Sequence, residues 1–171
     1  MQTVVLGPRP AEIDALIELR KRRGIDRYDE VWERSYHMAP AAHPAHGYID
    51  RQLAIVLDPY AKRAALLGTG PFNLGEVENY RIPDGGYHRT LPTTVWVPTV
   101  AIVVEIVLPD DETYATFGFY FEHGVAELII ADPAEHSVTL WDRGPGEFVQ
   151  TDTSKLLGVE AGAISRLIIW P

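Results

Sequence analysis

Cysteine is absent from the 171 residues, which excludes disulfides, thiolate metal centres and a cysteine nucleophile. Lysine is nearly absent: Lys21, Lys62 and Lys155 are the whole set, and every other basic residue is arginine. Neither lysine nor arginine occurs between Arg89 and Arg143, so the middle of the chain supplies no cation of its own. Positive charge is short overall, with 15 Lys and Arg against 24 Asp and Glu for a formal net charge of −9. That balance opposes tight, sequence-blind binding to a phosphate backbone, and a nucleic-acid role needs a local basic groove or a metal to offset it. No apolar run is long enough to cross a bilayer, and the opening MQTVVLGPRP has no basic segment ahead of an apolar one. The expectation is a cytoplasmic protein with no membrane partner. The histidines show no HExxH spacing, and there is no Gly-x-Ser-x-Gly, phosphate loop or dinucleotide fingerprint.

What is present is an ordinary globular composition, 46% hydrophobic, in a chain long enough to bury a substantial core as a single domain, 1–171. Its organising stretch is residues 100–109, VAIVVEIVLP, an apolar run that carries one charge, Glu105. The run is short, rich in Val and Ile and closed by proline, which predicts a buried strand. Alternation sets Ala101, Val103, Glu105 and Val107 on one face and Ile102, Val104 and Ile106 on the other. An ionised carboxylate in such a strand costs several kcal/mol unless it is paired, hydrogen-bonded or metal-bound. Glu105 therefore has either a structural partner or a chemical task.

Along the chain, Pro10, the apolar residues Ile13, Leu16 and Ile17, the basic run at 20–23 and Gly24 predict a short helix with cations at its negative end. Residues 28–38, YDEVWERSYHM, alternate and predict a hairpin turning near Glu33 and Arg34. A second helix is expected over 44–67, kinked or divided at Pro59 and stopped by Gly68. Residues 72–87 suggest a strand or hairpin ending in a glycine-rich turn. The acidic residues Asp110, Asp111 and Glu112 suit the start of an aromatic helix, TYATFGFYFEHG, ended by Gly124. Residues 125–131 and 137–141 form a hairpin around Asp132-Pro133, and 147–149 and 163–170 are expected as further strands, the last closing one main sheet. The class is mixed α/β.

Two carboxylates leaving neighbouring strands make a minimal site for a hard divalent cation. Asp84, in Ile82-Pro83-Asp84-Gly85-Gly86, and Glu105 fit that description, although Pro-Asp-Gly is also a common turn. The helix opening at His46, the segment Arg81-Ile82-Pro83-Asp84, the strand Val103-Val104-Glu105-Ile106-Val107 before Pro109, and Gly124-Val125-Ala126-Glu127 through Ala131-Asp132-Pro133 together resemble the Uma-type restriction endonuclease family. The resemblance implies the PD-(D/E)xK nuclease superfold: a restriction endonuclease-like mixed sheet flanked by helices. An N-terminal helix and hairpin extension, 1–43, would precede a core at 44–171.

Carried over, the resemblance makes Asp84 and Glu105 ligands of a magnesium ion in an endonuclease that hydrolyses DNA phosphodiester bonds. It also implies a lysine two residues after the glutamate or in the following helix. Those positions hold Val107 and Thr116, and Arg34 stands where the hairpin usually has glycine. Lys62, Arg81 and His46 are the candidate substitutes. Arginine is a poor one where water must be poised, since it stays protonated and is a broad fork, whereas histidine can move a proton near neutral pH. The alternative is a catalytically degenerate nuclease fold serving as a binding or assembly module. Five aromatics in the helix after Glu105 favour it, and the accompanying expectation is a homodimer burying some of them.

Overall fold

The structure, a computed structural model, describes residues 3–5, 10–32, 35–39, 43–107 and 113–171. Helix α1 (Ala11–Arg23) starts after Pro10 and ends at Gly24, whose φ of 63° lets its N–H reach back to Lys21 O. Its basic run has a partner as well as a dipole to satisfy. Arg20 Nε donates to Asp29 Oδ2 at 2.7 Å, and Asp29 also accepts from the Tyr36 hydroxyl and the Ala39 N–H. That buried carboxylate ties α1 to strands β2 (Glu30–Trp32) and β3 (Ser35–Met38), which pair antiparallel as the expected hairpin. Glu33 and Arg34, the expected turn, lie outside the described residues.

Helix α2 (Pro44–Arg63) buries Ile49, Leu53, Leu57 and Ala61, one residue per turn. It begins with His43 Nδ1 accepting the Ala45 N–H at 3.2 Å. Of the two outcomes expected at Pro59, division does not occur: the helix runs through it. Pro59 and Ile55, whose carbonyl loses its helical donor, both lie on the exposed face, where water can take that carbonyl. The helix also stops before Gly68. Ala65, at φ 54°, takes the left-handed position, with Leu66 N–H bonded to Ala61 O and Ala65 N–H to Lys62 O. Burial of Leu66 anchors this end.

Among the described residues, two six-stranded sheets form in place of the single main sheet expected. The first runs β1 (Thr3–Val5), β3, β2, β6 (Asn79–Arg81), β5 (Asn73–Glu76) and β8 (Trp96–Val97). The second runs β12 (Phe148–Thr151), β11 (Ser137–Arg143), β10 (Glu127–Asp132), β9 (Ile102–Ile106), β7 (Gly85–His88) and β4 (Leu67–Thr69). Only β9 and β10 run parallel in the second sheet. Strands β13 (Thr153–Ser154) and β14 (Val159–Glu160) pair separately.

The two faces of β9 divide the core as its alternation predicts. Ile102, Val104 and Ile106 pack with α2 and with Ile164 and Ile168, while Val103 packs with Leu74, Tyr120, Leu128 and Phe148. Gly85 and Gly86, expected as a turn, are strand residues. A Cβ on Gly86 would lie 2.8 Å from the Phe72 ring and 2.9 Å from Ile102 O, so the glycine permits close approach of the neighbouring chain.

The segment at 163–170 is also not a strand. It contributes to α4 (Ala161–Leu167), where Ile164 reaches the core from within the helix and Ile168 from the residue just past its end. Their four-residue spacing is helical, but the run is too short for its period to separate the two readings. The aromatic segment forms a 3-10 turn (Thr113–Thr116) and then α3 (Phe117–Glu122); Asp110, Asp111 and Glu112 lie outside the described residues. Tyr120 is buried, and Phe117, Phe119 and Phe121 pack against the second core cluster. The exposed Tyr114 still touches the rings of Phe117 and Trp141. Within the chain, Tyr120 is thus covered completely and Phe117, Phe119 and Phe121 in part, while Tyr114 stays exposed. Among the described residues, no helix is long and apolar enough to cross a membrane.

Candidate functional site

The β7–β9 register pairs Gly85 with Val104 and Gly86 with Val103; continued by one residue, it sets Asp84 across from Glu105. Each carboxylate accepts a backbone N–H from the other's strand. Ile106 N donates to Asp84 Oδ2 at 2.9 Å, and Asp84 N donates to Glu105 Oε2 at 3.4 Å. Glu105 also lies near the carboxyl end of the parallel pair β9–β10, the end at which open α/β sheets expose their ligand crevices.

Helix α2 brings His46 to this pair from the apolar side of the sheet. His46 Nε2 lies 2.9 Å from Asp84 Oδ1, and both side chains are mostly buried, at 16% and 21% exposure. Asp50 follows one turn later. Burial raises its pKa first, the Asp84 charge raises it further, and His46 opposes them. From the other face, α3 supplies Tyr120, whose hydroxyl donates to Glu105 Oε1. Its pKa is pushed upward by complete burial and then by the Glu105 charge, so the phenol is held as a donor. The strand glutamate therefore has the structural partners its burial demands and also faces a second carboxylate.

Of the proposed site residues, the structure brings Asp84, Glu105 and His46 together. Arg81 stands close by but is engaged elsewhere: Nη1 lies 3.7 Å from Glu30 Oε2, and the guanidinium stacks over Trp32. Glu30 also accepts the Ile82 N–H at 2.7 Å, fixing the strand that leads to Asp84. Lys62 is set apart. It pairs with Asp58 at 2.6 Å on the exposed end of α2, sixteen residues and roughly 24 Å of helix from His46. Lys62 therefore cannot stand in for the lysine from that end of the helix.

Asp50, Tyr120 and Glu30 were missed by sequence reasoning. His46 and Asp50 share the i, i+4 spacing of one helix face, a signal available in the sequence. Tyr120 was hidden among its aromatic neighbours, and the contact of Glu30 with the 81–82 segment spans separate hairpins.

Among the described residues, no three His, Asp or Glu side chains gather closely enough to enclose a metal ion. The donors nonetheless fit a hard cation. Magnesium is commonly held by one or two carboxylates and completed by water and substrate phosphate. Asp84 and Glu105 offer oxygens fixed by backbone donors, in a site where carboxylates outnumber cations.

Comparison with known proteins gives the family and the fold. A family model described as "Putative restriction endonuclease", Uma2, matches residues 13–163. Among solved structures, the chain is similar to a putative nuclease belonging to DUF820 from Anabaena variabilis ATCC 29413. The TM-score is 0.63 at 13% identity, covering 82% of this chain and 91% of that one. This likeness identifies the fold as restriction endonuclease-like. No curated protein sequence matches the chain.

Proposed function

The chain belongs to the Uma2 family of restriction endonuclease-like proteins, and from that premise we propose that it hydrolyses DNA phosphodiester bonds at the Asp84–Glu105 site with a divalent cation, magnesium first. The observation that carries this reading is the reciprocal hold of the two carboxylates on adjacent strands. Asp84 and Glu105 would hold the ion. When bound, it would stabilise charge on the phosphoryl oxygens and lower the pKa of a water. The protein's own part is positional. Backbone N–H groups and the Tyr120 hydroxyl fix the carboxylates, and His46 against Asp84 gives a proton from attacking water a place to go. Arg81, held by Glu30, adds positive charge behind Tyr120.

Incubating supercoiled plasmid with the protein, with and without magnesium or manganese, tests the reading. The expected result is metal-dependent nicking that Glu105→Gln abolishes. Equal nicking by wild type and variant would assign the activity to a contaminant. No nicking by either would favour the second reading, a nuclease fold retained as a binding or assembly module. One observation supports that alternative: the implied lysine is missing, and neither Lys62 nor Arg81 stands free in its place.

A further inference from the structure

Between the first sheet and α3 lies an open cleft of about 520 Å³ whose lining includes Trp32, Arg81, Gly118 and Phe119. Its wall is already stacked. His37 lies on one face of Trp32 with ring centroids 3.8 Å apart, and the Arg81 guanidinium lies on the other at 3.6 Å, with the Phe119 ring 5.8 Å beyond. Arg81 is 5% exposed. Among the described residues, Arg81 Nε and Trp32 Nε1 are buried without a hydrogen-bond partner, an arrangement that costs about 1–3 kcal/mol per donor unless the side chains shift to meet an acceptor. The opposite wall includes Gly118, where an added Cβ would meet nothing within 4 Å. Glu78 and Glu122 are exposed residues of the lining.

This combination selects against anions. Arg81 already faces Glu30, so Glu78 and Glu122 leave the cleft with more negative than positive charge, and a phosphate or carboxylate would be repelled there. A flat, neutral ligand with acceptors on one edge and donors on the other suits it. We propose that the cleft is a base-binding subsite for guanine, with the O6/N7 edge toward Arg81 and the N1–H/N2–H edge toward the acidic residues. Arginine facing guanine O6 and N7 is the commonest specific base contact, and carboxylates accept from amino edges. Arg81, in the lining of the cleft, is three residues from Asp84 in the chain, so a base seated here would be read by the segment that leads to the carboxylates. The cleft would then give the nuclease a sequence preference. This inference rests on the DNA reading above.

The test is a metal-free NMR titration of the full chain with 2′-deoxyguanosine, 2′-deoxyadenosine and inorganic phosphate, observing the Trp32 indole and Arg81 Nε–H resonances. Deoxyguanosine is expected to shift both saturably, deoxyadenosine to bind at least about tenfold more weakly, and phosphate to shift neither. Gly118→Leu, which projects into open space and leaves the buried stack intact, should weaken deoxyguanosine binding by about tenfold or more. Absence of any nucleoside-induced shift, equal binding by Gly118→Leu, or a response to phosphate alone would overturn the assignment. Nicking of DNA separates the two claims. A protein that binds deoxyguanosine but never cuts keeps the cleft and loses the nuclease. One that cuts, with no nucleoside shift and an unchanged preference in Gly118→Leu, loses only the cleft.

Discussion

Glu105 and Glu127 sit on neighbouring strands of one sheet, and the surroundings of their carboxylates divide structure from chemistry. Glu127, 3% exposed, gives one oxygen to the Ser154 hydroxyl at 2.5 Å and the other to the Leu156 N–H at 2.8 Å. Its environment is closed: the donors come from residues 154–156, and the acid across the strand pair, Asp142, is ion-paired with Lys155. Glu105 is less buried, and it also receives two donors, the Tyr120 hydroxyl and the Asp84 N–H. The second donor, however, is the backbone of another acid, whose own carboxylate leans on His46. The acids Glu127 and Asp142 are thus neutralised and bonded by residues 154–156, which folding alone explains, whereas Asp84 and Glu105 are each fixed by the other's strand, an arrangement that concentrates negative charge.

The largest effect should separate the two residues outright. Glu105→Gln is expected to reduce metal-dependent DNA cleavage by about 1,000-fold, on the scale of losing a principal electrostatic group, with a urea midpoint close to wild type. Glu127→Ala should do the reverse. Removing the acceptor strands two donors, at about 1–3 kcal/mol each, so the urea midpoint should drop while the metal affinity of the remaining folded protein is unchanged. A stability loss in Glu105→Gln equal to that in Glu127→Ala would erase the distinction.

Tyr120→Phe sharpens the comparison, because it removes a donor to Glu105 and keeps the ring. Metal affinity should fall by about 10–100-fold, measured by calorimetry, and an unchanged value would make Tyr120 a packing residue only. A smaller effect should come from His88, buried on β7 beside Thr69, with its pKa lowered from the ordinary 6.5 by burial. The unfolded chain binds that proton more readily, so stability present above about pH 6.5 is lost as the pH falls toward the folded value. Thermal melts should show wild type losing more stability than His88→Gln across that interval. Lys62→Ala should change neither cleavage nor metal binding measurably, since its ion pair is exposed and remote from His46; a large loss of cleavage would return Lys62 to the site.

Much of this was legible in the chain. The alternation of 102–106 predicted both faces of β9, and the family resemblance put Asp84 with Glu105. What escaped was set by long-range packing. The helix α4 was hidden because a short apolar run carries no decisive period. The stop at Ala65 was missed because alanine seldom takes a left-handed conformation, here secured by the burial of Leu66. Gly85 and Gly86 read as a turn until the Phe72 ring and the β9 backbone were seen against Gly86. Asp50 and Tyr120 reach the site from opposite faces of the sheet, a convergence that depends on tertiary structure.

The central claim is that Asp84 and Glu105 form a cation site while Glu127 does not, and calorimetric titration of manganese into wild type, Glu105→Gln and Glu127→Gln tests it directly. The account predicts one saturable site in wild type, its loss in Glu105→Gln and its retention in Glu127→Gln. Binding that survives in Glu105→Gln, or its absence from wild type, would contradict it.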